Sequence, residues 1–118
     1  MLKHSFSPDV KDFYLLHDLT QCVSCGRWGC ELHHILGRRH EENASIYNSS
    51  LLCRECHNRK NIHQPTIQKD LLNKTADILM RYNYTLKEID IKFITENYEH
   101  FRPEVLPQES FNNIDSKV

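Results

Sequence analysis

The chain has 118 residues, a formal net charge of −1 and five cysteines. That length suits a single domain with a modest core, and the near-neutral charge argues against a tight, purely electrostatic binder of polyanions. No apolar run approaches the roughly 20 residues of a membrane span, and the N-terminus lacks the apolar stretch of a signal peptide. The expectation is a cytoplasmic, intracellular protein without membrane contact, in which an odd number of cysteines points to metal before disulfides.

In chain order, residues 1–21 form an N-terminal extension. Ser7-Pro8-Asp9 reads as a helix start with Pro at the first helical position, which would gather Val10, Phe13, Tyr14 and His17 on one face. A short strand over residues 12–16 is the alternative. Next comes a C-x2-C knuckle, Cys22 and Cys25, followed by Gly26, where the chain turns tightly. Trp28 is expected as an apolar lid over this knuckle, with stacking on a base as the lesser alternative. Cys30 stands outside both cysteine pairs and reads as a small buried residue.

Residues 31–35, ELHHI, are short, flanked by turn formers and predicted as a strand. Gly37 to Asn43 is a polar loop, and residues 49–52 are a second strand, so the two pair as an antiparallel hairpin with a long connection. After Cys53 the stretch RECHNRKNIHQ has no breaker until Pro65 and suits a short helix. Cys22, Cys25, Cys53 and Cys56 would then clip the hairpin base to the start of that helix. From Pro65, apolar residues Ile67, Leu71, Leu72, Ala76, Leu79 and Tyr82 keep helical spacing. Asn83 interrupts, Thr85-x-x-Glu88 has the form of a capping box, and Leu86, Ile89, Phe93, Ile94, Tyr98 and Phe101 continue on a second helix that Pro103 stops. The pair makes a helical hairpin over residues 65–102. It packs on the small module, or else offers a contact for a homodimer or a protein partner. Residues 103–118 are expected to be a disordered tail.

The four paired cysteines suit a closed, tetrahedral structural zinc site. His33, His34, Asn48 and His57 cannot join it, because four thiolates already fill it, and a second metal with open positions is the expected use for them. The segment from Cys22 to His63 carries six Lys and Arg against four Asp and Glu, and it is the only positive part of the chain. Arg38, Arg39, Arg54, Arg59 and Lys60 are candidates for gripping DNA phosphates, and solvated surface charge is the competing reading for each. His4, His17, His40 and His100 read as surface histidines. His63 falls off the helical face of His57 and is not counted as a ligand.

CVSC, then LHHILGR, then NSSLLCRECH, together resemble the HNH nuclease family in its variant with a four-cysteine zinc site. The resemblance covers about residues 22–63. It implies an α+β fold in which residues 22–64 form a zinc-stabilised ββα-metal module flanked by helices. It also implies a metal-dependent endonuclease hydrolysing DNA phosphodiester bonds. His34 matches the general base, Asn48 the asparagine and His57 the closing histidine, a ligand of the catalytic ion. His33 stands at the other ligand position, where many members have aspartate. Asn61 stands where some members carry a third histidine. The implied cofactors are a structural Zn2+ and a catalytic divalent ion: Mg2+, Mn2+, Ni2+ or Zn2+. Base and ligand chemistry both suit imidazole, whereas the Asn48 amide can only hydrogen-bond, and its expected partners are backbone groups near the histidine pair. One difficulty is geometric, since neighbouring side chains on a strand point to opposite faces. A catalytically inactive zinc module that binds DNA or protein is the alternative function.

Overall fold

A computed structural model describes residues 5–29 and 31–106. Among them, the order is α1 (Pro8–Leu16), β1 (Glu31–His34), β2 (Ser49–Leu52), α2 (Arg54–His57), α3 (Pro65–Arg81) and α4 (Glu88–Glu96), with short 3-10 turns between and after. The protein is a mixed helix and two-strand structure with a cysteine cluster at one end of its hairpin. No described helix is long and apolar enough to cross a membrane.

Local chemistry accounts for most element boundaries. Pro8 opens α1 and Pro65 opens α3, each at a position where the missing N–H costs nothing. Both helices end alike. Asp18 and Asn83 take left-handed backbone with φ of 54° and 55°. Beyond them, Leu19 N–H donates to the Tyr14 carbonyl and Tyr84 N–H to the Leu79 carbonyl, both at 2.9 Å. These are the 6→1 bonds that close a helix C-terminus. Strands β1 and β2 pair antiparallel with Glu31 opposite Leu52, Leu32 opposite Leu51, His33 opposite Ser50 and His34 opposite Ser49.

The core is built on β2. All four of its residues are buried, and α3 crosses it with Leu71, Leu72, Ala76 and Leu79 turned inward. Thr75 donates its hydroxyl to the Ser49 carbonyl at 2.7 Å and so fixes the height of α3 against the strand. On the other side Tyr14 of α1 shares a 2.7 Å hydrogen bond with the Ser49 hydroxyl. Phe93 of α4 is fully buried and meets Phe101 edge-on, ring centroids 6.3 Å apart. Phe93→Ala is therefore expected to destabilise the protein by about 3–5 kcal/mol, measured by urea unfolding, with sedimentation unchanged. A shift in oligomeric state without loss of stability would mean that Phe93 serves a contact between chains instead.

The helices over residues 65–102 lie on the small module: α3 mainly on β2 and on the turn at Ile46–Asn48, and α4 mainly on that turn and the one before it. Several expectations about other residues need correction. Tyr98 is exposed, because α4 ends at Glu96 and the chain leaves the helical face before reaching it. The cap of α4 is not Thr85 with Glu88. Asp90 accepts from the Lys87 N–H at 2.8 Å, and its buried carboxylate also accepts from the hydroxyls of Ser45 and Tyr84. A buried carboxylate with three donors is a stronger anchor than an exposed glutamate. The expected tail begins too early, since Val105 and Leu106 are buried and the chain before them is tied to α3 through Asn73, whose side chain bonds the His100 carbonyl and the Arg102 N–H. Residues 107–118, with Cys30 and His4, lie outside the described residues. His17 is not an ordinary surface histidine: its ring packs between Phe13 and Tyr82.

Candidate metal centres and the histidine cluster

The two knuckles meet at the base of the hairpin. Gly26, at φ 79°, lets the first knuckle fold back so that its N–H reaches the Cys22 carbonyl at 2.8 Å. In the second, Cys53 directly follows β2 and accepts on its Sγ from the Cys56 N–H at 3.5 Å, so this cysteine is also the first cap of α2. The result brings Cys22, Cys25, Cys53 and Cys56 together with all four Sγ atoms within 4.8 Å of one another. Cys25 and Cys53 are 3.7 Å apart. A tetrahedral ion with metal–sulfur bonds of about 2.3 Å needs sulfurs about 3.8 Å apart, so the cluster can hold an ion such as zinc. Its electrostatics agree. Burial opposes ionisation of Cys22, yet the amides of Cys53, Cys25 and Ser24 outweigh it and hold that thiol below its ordinary range. Burial and the neighbouring thiols of Cys53 and Cys25 push Cys56 up. A divalent cation at the centre would let all four ionise together.

The histidines lie further along the hairpin, and the strand separates the pair. His33 faces α2. Its ring lies 4.9 Å from that of His57 and 5.7 Å from that of His63, centroid to centroid. It is 4% exposed, and its buried Nε2 has no hydrogen-bond partner. Burial, then the nearby His57, His63 and His34, lower its pKa to about 4, so near neutral pH the ring is uncharged and its lone pair available. His57 is oriented from behind: its Nδ1 lies 2.8 Å from Glu31 Oε1. Because a carboxylate only accepts, Nδ1 is the donor, and in a neutral ring the lone pair then falls on Nε2, the arrangement commonly found behind metal-bound imidazoles. His34 projects from the opposite face, where its ring lies flat on Phe6 at 3.7 Å with an interplanar angle of 4°.

No family model, curated protein or solved structure matches the chain.

Asn48 is fully buried in the connection that closes the hairpin. Its Oδ1 accepts from the Leu36 N–H at 2.8 Å, and its Nδ2 donates to the carbonyls of Gly37 and Asn43 at 3.0 and 2.9 Å. Asn43 in turn donates to the carbonyls of Leu36 and Gly37. Two amides thus lace the turn that follows His34, and this turn sets how β1 ends. Asn61 is exposed, and no described contact joins its side chain to His33 or His57. The ring beside His33 is that of His63. On one helix running to Pro65, His63 would fall off the face of His57, but α2 stops at His57, where the Asn58 side chain turns back to the Arg54 carbonyl at 2.9 Å. Glu31 was also missed, although it sits two residues before His33 on the same strand face. This histidine set is looser than the thiol site: among the described residues only the four cysteines bring their ligand atoms within 4.8 Å of one another.

Of the basic residues, Arg38 is half-buried beside His34, whereas Arg39, Arg54, Arg59 and Lys60 are exposed. None of the five forms an ion pair among the described residues. Trp28 is no lid on the knuckle. It is 71% exposed and stands over a groove on the His34 face.

Proposed function

We propose that the chain is a metal-dependent endonuclease of the HNH type, with β1, β2 and α2 as its ββα-metal core and DNA as its substrate. The observation that carries this reading is the convergence of His33 from the hairpin with His57 from α2, two imidazoles on one side of the strand pair. The unpartnered His33 Nε2 and the Glu31–His57 hydrogen bond fit a divalent ion at that place. His63 takes the third position in this reading, in place of Asn61. Such an ion, when bound, would neutralise charge that builds on the phosphorus centre and the leaving oxygen. His34 is the last residue of β1, immediately before the turn that Asn48 ties down. In this reading the phosphodiester lies across that end of the hairpin and would have to meet both faces, for His34 to take a proton from the attacking water while the ligand histidines hold the ion. Arg38, Arg39, Arg54, Arg59 and Lys60 would hold neighbouring phosphates.

A catalytically inactive, zinc-stabilised binding module is the alternative, and one observation favours it: Phe6 covers one face of the His34 ring. A supercoiled-plasmid assay with Mg2+, Mn2+ or Ni2+ decides between them. Nicked circles are expected, and linear product appearing with the nicks would point to a dimer. Intact plasmid with every ion, from a folded and zinc-loaded preparation, would leave the binding module as the better account.

A further inference from the structure

Beside His34 the surface opens into a groove of about 560 Å3. Phe6, Trp28, Leu32 and Leu51 supply apolar walls, and Lys11 and Arg38 supply charge. Among the described residues, no acidic one lines it. Four other cavities of the molecule each carry at least one carboxylate, as with Asp18 and Asp77 in one of about 600 Å3. In a chain of net charge −1, an apolar groove whose described charged residues are both cations is a selective feature.

Trp28 is the sole tryptophan, and an indole left 71% exposed is unusual for so large an apolar group. Its backbone, however, is held firmly. Gln21 and Trp28 form an isolated antiparallel bridge, and the Gly29 N–H donates to the Thr20 carbonyl at 2.7 Å. Gly29 is pressed so close to β2 that a Cβ there would meet Leu51 Cγ at 2.7 Å. The knuckle therefore presents the indole on a fixed platform, while the parallel stack of Phe6 on His34 forms another aromatic part of the lining.

We infer that this groove seats one unpaired nucleobase of a DNA strand, with Trp28 as its stacking surface and Lys11 and Arg38 on the flanking phosphates. Flat aromatic faces, an apolar floor and cations without acids match the chemistry of a nucleotide. A paired base keeps both faces on its neighbours and cannot enter, so the preferred substrate contains an unpaired or extruded nucleotide, as in gaps, bulges and branched junctions. The choice of DNA as ligand rests on the nuclease reading; the groove itself does not.

Zinc-loaded full-length protein, with no second divalent ion added, is titrated with a short duplex carrying one unpaired base and with the same duplex fully paired. Quenching of the single indole by the unpaired base is expected, with binding about five- to a hundredfold tighter than to the paired duplex. Trp28→Ala, checked for folding by circular dichroism, should bring both DNAs to equal affinity in an anisotropy assay, and Trp28→Phe should restore part of the preference. Equal quenching and affinity for the two DNAs, no quenching by either, or a preference that survives in Trp28→Ala would overturn the inference. Because no catalytic ion is present, these results are independent of cleavage. A nuclease that fails this test loses only its base seat, and a chain that cuts nothing can still pass it.

Discussion

His34→Ala is expected to lower DNA cleavage by about 10²–10⁴-fold, the usual loss when a general base is removed, while the affinity for the catalytic ion is retained. The reason is positional. His34 lies on the Phe6 face of β1, whereas His33 and His57 meet on the α2 face, so deleting the first ring leaves the ligand pair intact. His57→Ala should behave differently. It removes a ligand, weakens ion binding, and should recover part of its activity at high metal concentration. Calorimetric metal titration of the zinc-loaded variants, run beside the cleavage assay, separates the two. If His34→Ala loses the ion while His33→Ala keeps it, the roles of the paired histidines are reversed. His63→Ala belongs in the same series: it should resemble His57→Ala, and Asn61→Ala should resemble wild type.

Loss of the cysteine-bound ion should have the largest effect on folding. One tightly held zinc per chain is expected, with Cys53→Ala or a strong chelator unfolding the hairpin and α2, seen as loss of circular dichroism and of melting cooperativity. Zinc binding to such sites is coupled to folding with apparent free energies of about 10–16 kcal/mol, as large as the whole stability of a typical domain. Acid should act in the same direction, since protonated thiols release the ion. Stability from this site is therefore present at neutral pH and lost as pH falls. A folded preparation containing no metal would sink the assignment.

Elements defined by a local rule were legible in the sequence. Pro8 and Pro65 mark helix starts wherever they are met, the spacing from Ile67 to Leu79 has one sensible reading, and two C-x2-C pairs call for an ion. What escaped depended on partners distant in the chain. The cap of α4 is harder to place because Asp90, besides its local donors Lys87 and Tyr84, is held by Ser45, forty-five residues earlier. Val105 and Leu106 were given to a tail because nothing local shows that Asn73 ties down the chain before them. The helical periodicity that separates His63 from His57 ends with α2 at His57, and the exposure of the Trp28 indole has no local signature. Within the candidate site, the strand-face rule did foretell that His33 and His34 would diverge. It could not supply the Asn43 and Asn48 lacing that shapes the turn after them.

Helix α2 is a single turn, Arg54–His57, too short to be stable by its own hydrogen bonds. Its first cap is a cysteine sulfur and its last residue is the imidazole that faces His33. The bearing of that imidazole is thus set by counting residues from a thiol, as a clock hand is set by its gear. One inserted residue between Cys53 and His57 would turn the ring by about 100° around the helix axis, away from β1, however well the rest of the protein folded. Among variants of this chain, then, the fold should accept point changes at Arg54 or Glu55, with Arg54 costing only its phosphate contact, whereas a length change of even one residue there should not be accepted.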